Sequence, residues 1–533
     1  MGIYINPGNK AFMEALRDHY VDKSGLIRLI NRTIDTPGKL TCVSRPRRFG
    51  KSFAAKMLCA FYDCSCDSRE MFRNLEIAED PSFEQHLNQY HVINLDISGF
   101  ISDAKTCGKK LEAVPGLIVE ALEKEIKELY PQLHAAQSLE KCLFALAEQT
   151  GRRFIFIIDE WDGMIREAAK DSRAQERYLN LLRGWFKNSN FTPYIVAGAY
   201  MTGILPIKKD GSQSAISDFL EYTLLDPSEF AEYTGFTEQE VEGLCSQYEM
   251  DFSAAKMWYD GYTVGREKSI YNPYSVMNAM KRHAFRSYWK QTSASEALLT
   301  YIDMDEEGLQ GEIARLISGE QIEVDPGGFE NDFETFRSKD DVLALMIHLG
   351  YLSYEEDDQG TGYARIPNEE IRLEFNRILR RGSHKTLIQL VRQSDELLEK
   401  TIQLDEQAVA DSVQKVHDSA TAPQFYNDEQ ALRSVIRMAY LSSVDQYVRI
   451  EELPSGRGYA DVVFLPKRRS QLPAMIIELK WNQGVKSALE QIRQKRYPAV
   501  LKDFGGELLL VGITYDTKTK EHSCRIEKAS GKE

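Results

Sequence analysis

Two kinds of apolar pattern share the first two hundred residues. Lys39-Leu40-Thr41-Cys42-Val43, Tyr90 to Asp96, Phe154-Ile155-Phe156-Ile157-Ile158 and Pro193 to Gly203 are short, nearly unbroken apolar runs. Such runs read as strands buried on both faces. Between them, Phe12 to Leu16, Leu26 to Ile30, Phe53 to Leu58, Leu111 to Leu129, Leu139 to Glu148 and Tyr178 to Phe186 carry apolar residues at helical spacing. Strands alternating with helices predict a parallel sheet covered on both sides. Asp35-Thr36-Pro37-Gly38 marks a turn before the first strand.

The pattern changes near residue 227. Thr237 followed by Glu240 is a capping box that opens a helix. Trp258 to Tyr262 and Tyr271 to Tyr274 are aromatic turns around a hairpin-like segment, and their rings read as packing. Asp340 to Leu349 predicts a helix, followed by strands at Gly350 to Tyr354 and Tyr363 to Ile366, a winged-helix arrangement. Its turn, Glu355-Glu356-Asp357-Asp358, would repel a phosphate backbone, so a structural or protein-contact role is expected. Residues 371–420 read as helical. Arg372, Arg377, Arg380 and Arg381 form a basic stretch or an ordinary solvated face. The last segment begins with a helix from Asp428 to Leu441. Strands follow at Tyr447 to Glu451, Tyr459 to Leu465 and Ala474 to Lys480, the first two joined by a turn at Gly456-Arg457-Gly458. A helix from Val485 to Tyr497 and a strand from Leu508 to Ile513 complete it. The expected domains are 1–226, an α/β nucleotide-binding core; 227–295, a helical lid; 296–380, a winged-helix-like module; 381–423, a helical linker; and 424–533, a second α/β domain. A length of 533 residues fits about three or four domains.

The first candidate chemistry lies in Val43-Ser44-Arg45-Pro46-Arg47-Arg48-Phe49-Gly50-Lys51-Ser52. A strand, a turn ending in Gly-Lys-Ser and a helix make the setting of a phosphate-binding loop. Free N–H groups at the helix start face an incoming phosphate. Lys51 would reach the terminal phosphates and Ser52 would hold magnesium. Arg47, Arg48, Phe49, Gly50, Lys51, Ser52 and Phe53 form the expected ATP-binding stretch. Arg45 stands where the motif has its first glycine, which weakens the match. The run ending in Asp159-Glu160 supplies the other half. Asp159 is the expected magnesium-side carboxylate, and Glu160 would polarise the attacking water.

The second candidate centre is Asp461, Glu478 and Lys480. Glu478 and Lys480 are two apart on a strand and share a face. Two carboxylates on adjacent strands suit one magnesium ion, which activates water and neutralises charge on a phosphate. Lys480 would position that water or stabilise the transition state. The alternative is an ion pair on an exposed sheet face.

A net charge of -15 excludes a uniformly basic surface, so any nucleic-acid contact must be local. The eight cysteines are scattered, unlike a secreted disulfide framework. Cys59, Cys64 and Cys66 lie close together without a second ligand pair, so reduced thiols are expected. No signal segment and no membrane-length apolar run is seen. A cytoplasmic protein without membrane contact is expected.

Asp461, Glu478 and Lys480 resemble the metal carboxylates and lysine of the PD-(D/E)XK nuclease superfamily. Ala460 stands at the leading proline. The resemblance implies Glu429 as an additional helix glutamate at the metal and Gln491 as a polar helix residue of the catalytic set. Seven further pieces extend the likeness: Ser44 to Ser52, Ile158 to Asp162, Met201 to Ile204, Tyr233 to Thr237, Trp258 to Tyr262, Ile366 to Glu370 and Ile477 to Lys480. In that order they resemble a prokaryotic family joining a predicted AAA-type ATPase to such a nuclease domain. Arg45 is usual in that family. The resemblance implies ATP hydrolysis and magnesium-dependent cleavage of nucleic acid, DNA rather than RNA. It also implies that Thr202 senses the γ-phosphate, although a strand-end turn explains that residue equally well. AAA-class sites are often completed by an arginine from a neighbouring copy, which would require a homo-oligomer; no arginine here is singled out. A nucleotide-switched scaffold that binds nucleic acid or protein without cutting remains the alternative.

Overall fold

The computed structural model describes residues 2–133, 138–207, 216–289, 302, 308–329, 338–381, 385–420, 429–455, 458–467, 470–494 and 506–529. The expected turn at Gly456 and Arg457 and the end of the helix at Tyr497 lie outside them. The chain divides into two compact units interleaved in sequence. One is Met1–Tyr288 with Val324–Asn368; the other is Trp289–Glu323 with Glu369–Glu533.

In the first unit, β1 (Leu40–Ser44), β2 (His91–Asp96), β3 (Phe154–Asp159), β4 (Val196–Gly203) and β5 (Leu220–Tyr222) form a parallel sheet ordered β2-β3-β4-β1-β5. Two apolar layers sandwich it. Phe156, Ile158, Met201 and Cys42 join the helices Val114–Leu129, Leu139–Thr150 and Ser172–Phe186 on one face. Val43, Ile155, Ile157 and Tyr200 meet the helices Gly25–Asn31 and Lys51–Tyr62 on the other. Burial on both faces explains the unbroken apolar runs. The β4 run departs from expectation at its start. Thr192–Ile195 is one helical turn, with Pro193 in the position proline tolerates, and the strand begins at Val196.

The lid segment carries helices Glu238–Gln247, Phe252–Tyr259 and Pro273–Arg282 around the antiparallel hairpin Tyr262–Val264/Glu267–Ile270. The capping box at Thr237 and Glu240 is formed. Helix Lys339–Leu349 and the hairpin Ser353–Glu356/Gly362–Arg365 belong to this same unit. Their attachment to the lid is specific. The Tyr262 hydroxyl donates to the Gly350 carbonyl at 2.7 Å, the Thr263 amide to Ser353 Oγ at 3.0 Å, and Asn368 Nδ2 to the Asp260 carbonyl at 2.8 Å.

The second unit holds a five-stranded sheet in sequence order, Tyr447–Ser455, Gly458–Pro466, Ala474–Trp481, Leu508–Asp516 and Glu521–Ala529. All neighbours are antiparallel except Ala474–Trp481 and Leu508–Asp516, which are parallel. The crossover between them contains helix Val485–Gln494. Gly512 lets this helix lie close to the sheet: a Cβ there would sit 3.1 Å from Ala488 Cβ and 3.2 Å from the Val485 carbonyl. Helices Lys385–Ile402, Glu406–Ala420 and Glu429–Ala439 contribute Leu397, Val409, Val413, Leu432 and Ile436 to the core on the other face. In helix Glu369–Arg381, Arg372 and Arg377 pair with Glu369 and Glu374, so these two charges are balanced locally.

Gly261 marks the closest approach between the lid and the returning chain. Its φ is +104°, and a Cβ there would lie 2.0 Å from the Pro367 carbonyl oxygen. Gly261→Ala should therefore destabilise the protein by about 2 kcal/mol or more, read as a lowered midpoint in denaturant unfolding of the full chain.

Candidate functional site

The sheet order places the ends of β3, β4 and β1 side by side, which gathers three sequence-distant segments at one edge. After β1 the chain turns through residues 45–50 into helix Lys51–Tyr62. Arg48 (φ +71°) and Gly50 (φ +87°) take left-handed conformations. Lys51 is buried, and its Nζ donates to the carbonyls of Arg45 (2.9 Å) and Pro46 (2.8 Å). Burial lowers its pKa to about 8 against the opposing pull of Asp159, Glu160 and Asp162. Ser52 and Phe53 are exposed on the first helical turn.

Arg45 is fully buried. Its Nε donates to Thr234 Oγ1 at 2.8 Å, and Nη1 donates to the carbonyls of Ser44 and Tyr222, both at 2.9 Å. Desolvation lowers its pKa to about 10. At this motif position the side chain ties the loop to the segment after β5. Phe49 is buried with its ring edge-on to Tyr262, and its carbonyl accepts the Gly235 amide at 3.0 Å. Arg48 stacks over Tyr274 at 4.6 Å and donates to the Tyr288 carbonyl at 3.0 Å.

At the end of β3, Asp159 accepts a hydrogen bond from the buried Thr202 hydroxyl of β4. Glu160 adopts a left-handed φ of +52°. Its Oε2 accepts from Ser98 Oγ at 2.6 Å and Arg166 Nη2 at 2.9 Å. Burial disfavours its charge, but Ser98, Arg166 and Lys51 outweigh this and lower its pKa. Arg166 Nε also donates to the fully buried Asp162 at 2.9 Å. Arg47 faces this cluster: burial and Arg166 lower its pKa, while Glu160 and Asp162 oppose the shift. Sequence reading did not name Asp96, Ser98 or Arg166. Asp96 pairs in register with Asp159, and its pKa is raised by burial and then by Asp159 and Glu160. A signal was available for it, since Asp96 ends an apolar run as Asp159 does. Ser98 and Arg166 carry no comparable mark.

In the second unit, backbone pairing between Gly458–Pro466 and Ala474–Trp481 runs through Phe464↔Met475, Val463↔Ile476 and Val462↔Ile477. Beyond it the Asp461 carboxylate continues the contact: Oδ2 accepts the Leu479 amide at 2.8 Å. Alternation puts Asp461 on the face of Val463, and Glu478 and Lys480 on the face of Ile476. Val463 and Ile476 share one apolar cluster with Leu489 and Ile492, so all three residues lie on the sheet face covered by helix Val485–Gln494. Glu478 is buried, and Lys480 Nζ lies 3.6 Å from its Oε1. Asp461 Oδ1 accepts from Arg433 Nη2 at 2.9 Å. Sequence reading missed Arg433, although its spacing of four from Glu429 puts both on one helix face. Gln491 is partly exposed on helix Val485–Gln494. Glu429 begins helix Glu429–Ala439, and its side chain is outside the described residues. The paired carboxylate oxygens suit a hard cation such as magnesium. They supply two protein ligands; among the described residues no group of three or more His, Cys, Asp or Glu is arranged to hold a metal.

Residues 10–212 match the family model described as Predicted AAA-ATPase, and residues 427–523 match that of the PD-(D/E)XK nuclease superfamily. The chain joins an AAA-ATPase-like domain to a PD-(D/E)XK nuclease superfamily domain. A relative from Azotobacter chroococcum mcd 1, an uncharacterized protein in the vnfD 5' region, is 21% identical, with 94% of each chain covered. The Aeropyrum pernix ORC2 protein (ADPNP–ADP complexes) is similar over 70% of this chain and 96% of its own, at 13% identity and a TM-score of 0.31. Drosophila ORC bound to AT-rich DNA and Cdc6 is similar over 69% of this chain and 92% of its own, at 11% identity and a TM-score of 0.17. Among the described residues no helix is long and apolar enough to cross a membrane.

Two predictions follow from the loop of the AAA-ATPase-like domain. Phosphate favours the charged lysine, so nucleotide binding takes up a proton once the free Lys51 deprotonates. Affinity for a non-hydrolysable ATP analogue should be flat below pH 8 and fall above about 8. The slope approaches about tenfold per pH unit, measured by calorimetry. Arg45→Gly restores the motif glycine but removes a buried donor set. It should lower stability by about 3 kcal/mol in denaturant unfolding rather than improve the loop.

Proposed function

We propose that this protein binds and hydrolyses ATP at the Lys51 loop and cleaves DNA at the Asp461–Glu478–Lys480 centre, with nucleotide state setting access to the second site. The observation that carries the reading is the parting of two strands at Val462 and Ile477, where Asp461, Glu478 and Lys480 share one face. A polar, buried trio on an otherwise apolar sheet face is costly without a task.

In the ATP site, Lys51 holds the terminal phosphates, and Gly50 gives the backbone the turn that aims the helix start at them. Ser52 and Asp159 hold magnesium. Thr202 fixes the Asp159 carboxylate and reports the γ-phosphate through it. Glu160 orients water; with its charge stabilised by Ser98 and Arg166 it is an acceptor of hydrogen bonds rather than a strong base. In the nuclease site, Asp461 and Glu478 hold magnesium together with Glu429, and Lys480 positions water beside Glu478. The bound ion supplies Lewis acidity and neutralises charge on the phosphodiester. Gln491 orients the substrate from the covering helix.

Gating is supported by connectivity. Arg48 of the phosphate loop contacts Tyr288, the residue at which the chain leaves the first unit. A loop that closes on phosphate draws on that carbonyl and on the segment that follows. The free cysteines fit a reducing compartment, the cytoplasm.

The test uses the full-length protein with linear, circular and single-stranded DNA and RNA of matched length, with magnesium and with or without ATP. Lys51→Ala should abolish ATP hydrolysis and the ATP dependence of cleavage. Asp461→Ala, Glu478→Ala or Lys480→Ala should each abolish cleavage and leave ATP hydrolysis intact. Cleavage that survives all three changes overturns the assigned centre.

A further inference from the structure

We propose that Arg433 is a placeholder cation: its guanidinium holds Asp461 until a divalent cation takes that carboxylate, and then engages the phosphodiester. The phosphodiester half rests on the nuclease reading above; the exchange at Asp461 does not.

Arg433 is fixed in place by its helix. Leu432, Val435, Ile436 and Ala439 of Glu429–Ala439 pack in one core with Val462 and Ile477, the last paired residues before the strands part. Its guanidinium therefore reaches the parting from a rigid base. It donates to Asp461 Oδ1 at 2.9 Å, while the Leu479 amide donates to Oδ2 at 2.8 Å. Both oxygens of Asp461 are held, so the carboxylate is aimed before any ion arrives. Each oxygen keeps further lone-pair capacity.

The charge count explains why Arg433 must yield. Asp461 and Glu478 carry two negative charges; Arg433 and Lys480 carry two positive ones. A dication entering that balanced group meets repulsion from whichever cation stays close. Lys480 is the more enclosed, with its side chain 12% exposed beside a Glu478 that is 1% exposed; the Arg433 side chain is 22% exposed. Arg433 is thus the cation with room to move. Its planar fork matches two phosphate oxygens, which a lysine ammonium does not. A divalent ion on Asp461 and an arginine on the phosphodiester restore the pairing of unlike charges.

A purely structural ion pair predicts the opposite sign. If Arg433 only braced Asp461, removing it would loosen the carboxylate and weaken cation binding. Exchange predicts tighter binding, because the competitor is gone.

The experiment titrates Mn2+ into full-length wild type, Arg433→Gln and Arg433→Lys, reading free Mn2+ by electron paramagnetic resonance. It also measures fluorescent duplex DNA binding across salt concentrations with Ca2+ in place of Mg2+. Arg433→Gln should bind Mn2+ roughly tenfold more tightly. Its DNA affinity should fall, and the slope of log K against log salt should shrink by about one. Arg433→Lys keeps the charge and should stay within about twofold of wild type for Mn2+. Unchanged or weaker Mn2+ binding in Arg433→Gln overturns the exchange, and an unchanged salt slope overturns the phosphodiester contact. If Arg433→Gln tightens Mn2+ but wild type cuts neither DNA nor RNA, nuclease activity is rejected while the exchange stands. Asp461-dependent cleavage without the tightening rejects the exchange alone.

Discussion

Two buried cations facing backbone carbonyls give the phosphate loop its shape. A glycine at the first motif position would leave that loop to its own backbone preferences. This chain places Arg45 there, buries it completely and spends its donors on Thr234 and on the carbonyls of Ser44 and Tyr222. Lys51 then closes the loop from within through the carbonyls of Arg45 and Pro46. Buried carbonyls need donors, and a buried guanidinium needs acceptors. The loop meets both needs at once. Its form consequently depends on residues far along the chain, and the stretch 222–234 belongs to the nucleotide site although none of its residues reads as part of a motif.

The two centres solve a common problem by different means. Each must keep several charges close together in a partly buried place. At the sheet edge of the AAA-ATPase-like domain, hydrogen bonds to neighbouring elements spread the load: Thr202 on Asp159, Ser98 and Arg166 on Glu160, Arg166 again on Asp162. At the nuclease-superfamily centre, the backbone itself takes part. The strands part after Val462 and Ile477, and the Leu479 amide, freed from the ladder, is satisfied by Asp461. Local loss of pairing thereby fixes a carboxylate.

Much of the fold was legible because it rests on burial. The apolar runs at Leu40, His91, Phe154 and Val196 are strands since both sheet faces are covered. Strand β5 escaped notice because Leu220 is 45% exposed and three residues make no pattern. The strand Glu521–Ala529 was also missed, although its inward positions His522, Cys524 and Ile526 alternate with charged ones. The eye for apolar runs passes over a strand whose inward side chains include histidine. The two acidic motifs and Lys480 stood out as polar residues ending apolar strands. Ser98, Arg166 and Arg433 did not, because each sits on a helical segment whose surroundings make it unexceptional. Only the register β2–β3 and the packing of helix Glu429–Ala439 bring them to the carboxylates.

An acidic chain that handles phosphate esters presents an apparent conflict, since a net charge of -15 repels them at long range. The local arrangements resolve it. Around the loop, Lys51, Arg47 and Arg166 stand against Asp159, Glu160 and Asp162. In the second unit, Arg433 and Lys480 stand against Asp461 and Glu478. Neither group presents a bare positive field that would gather polyanions indiscriminately. Each reaches a favourable balance when a divalent cation and an anionic phosphate arrive together, because the added charges then offset one another. Selectivity for a metal-bound phosphate over a free one follows from that balance, and the acidic surface strengthens it by attracting the cation and discouraging the unaccompanied anion.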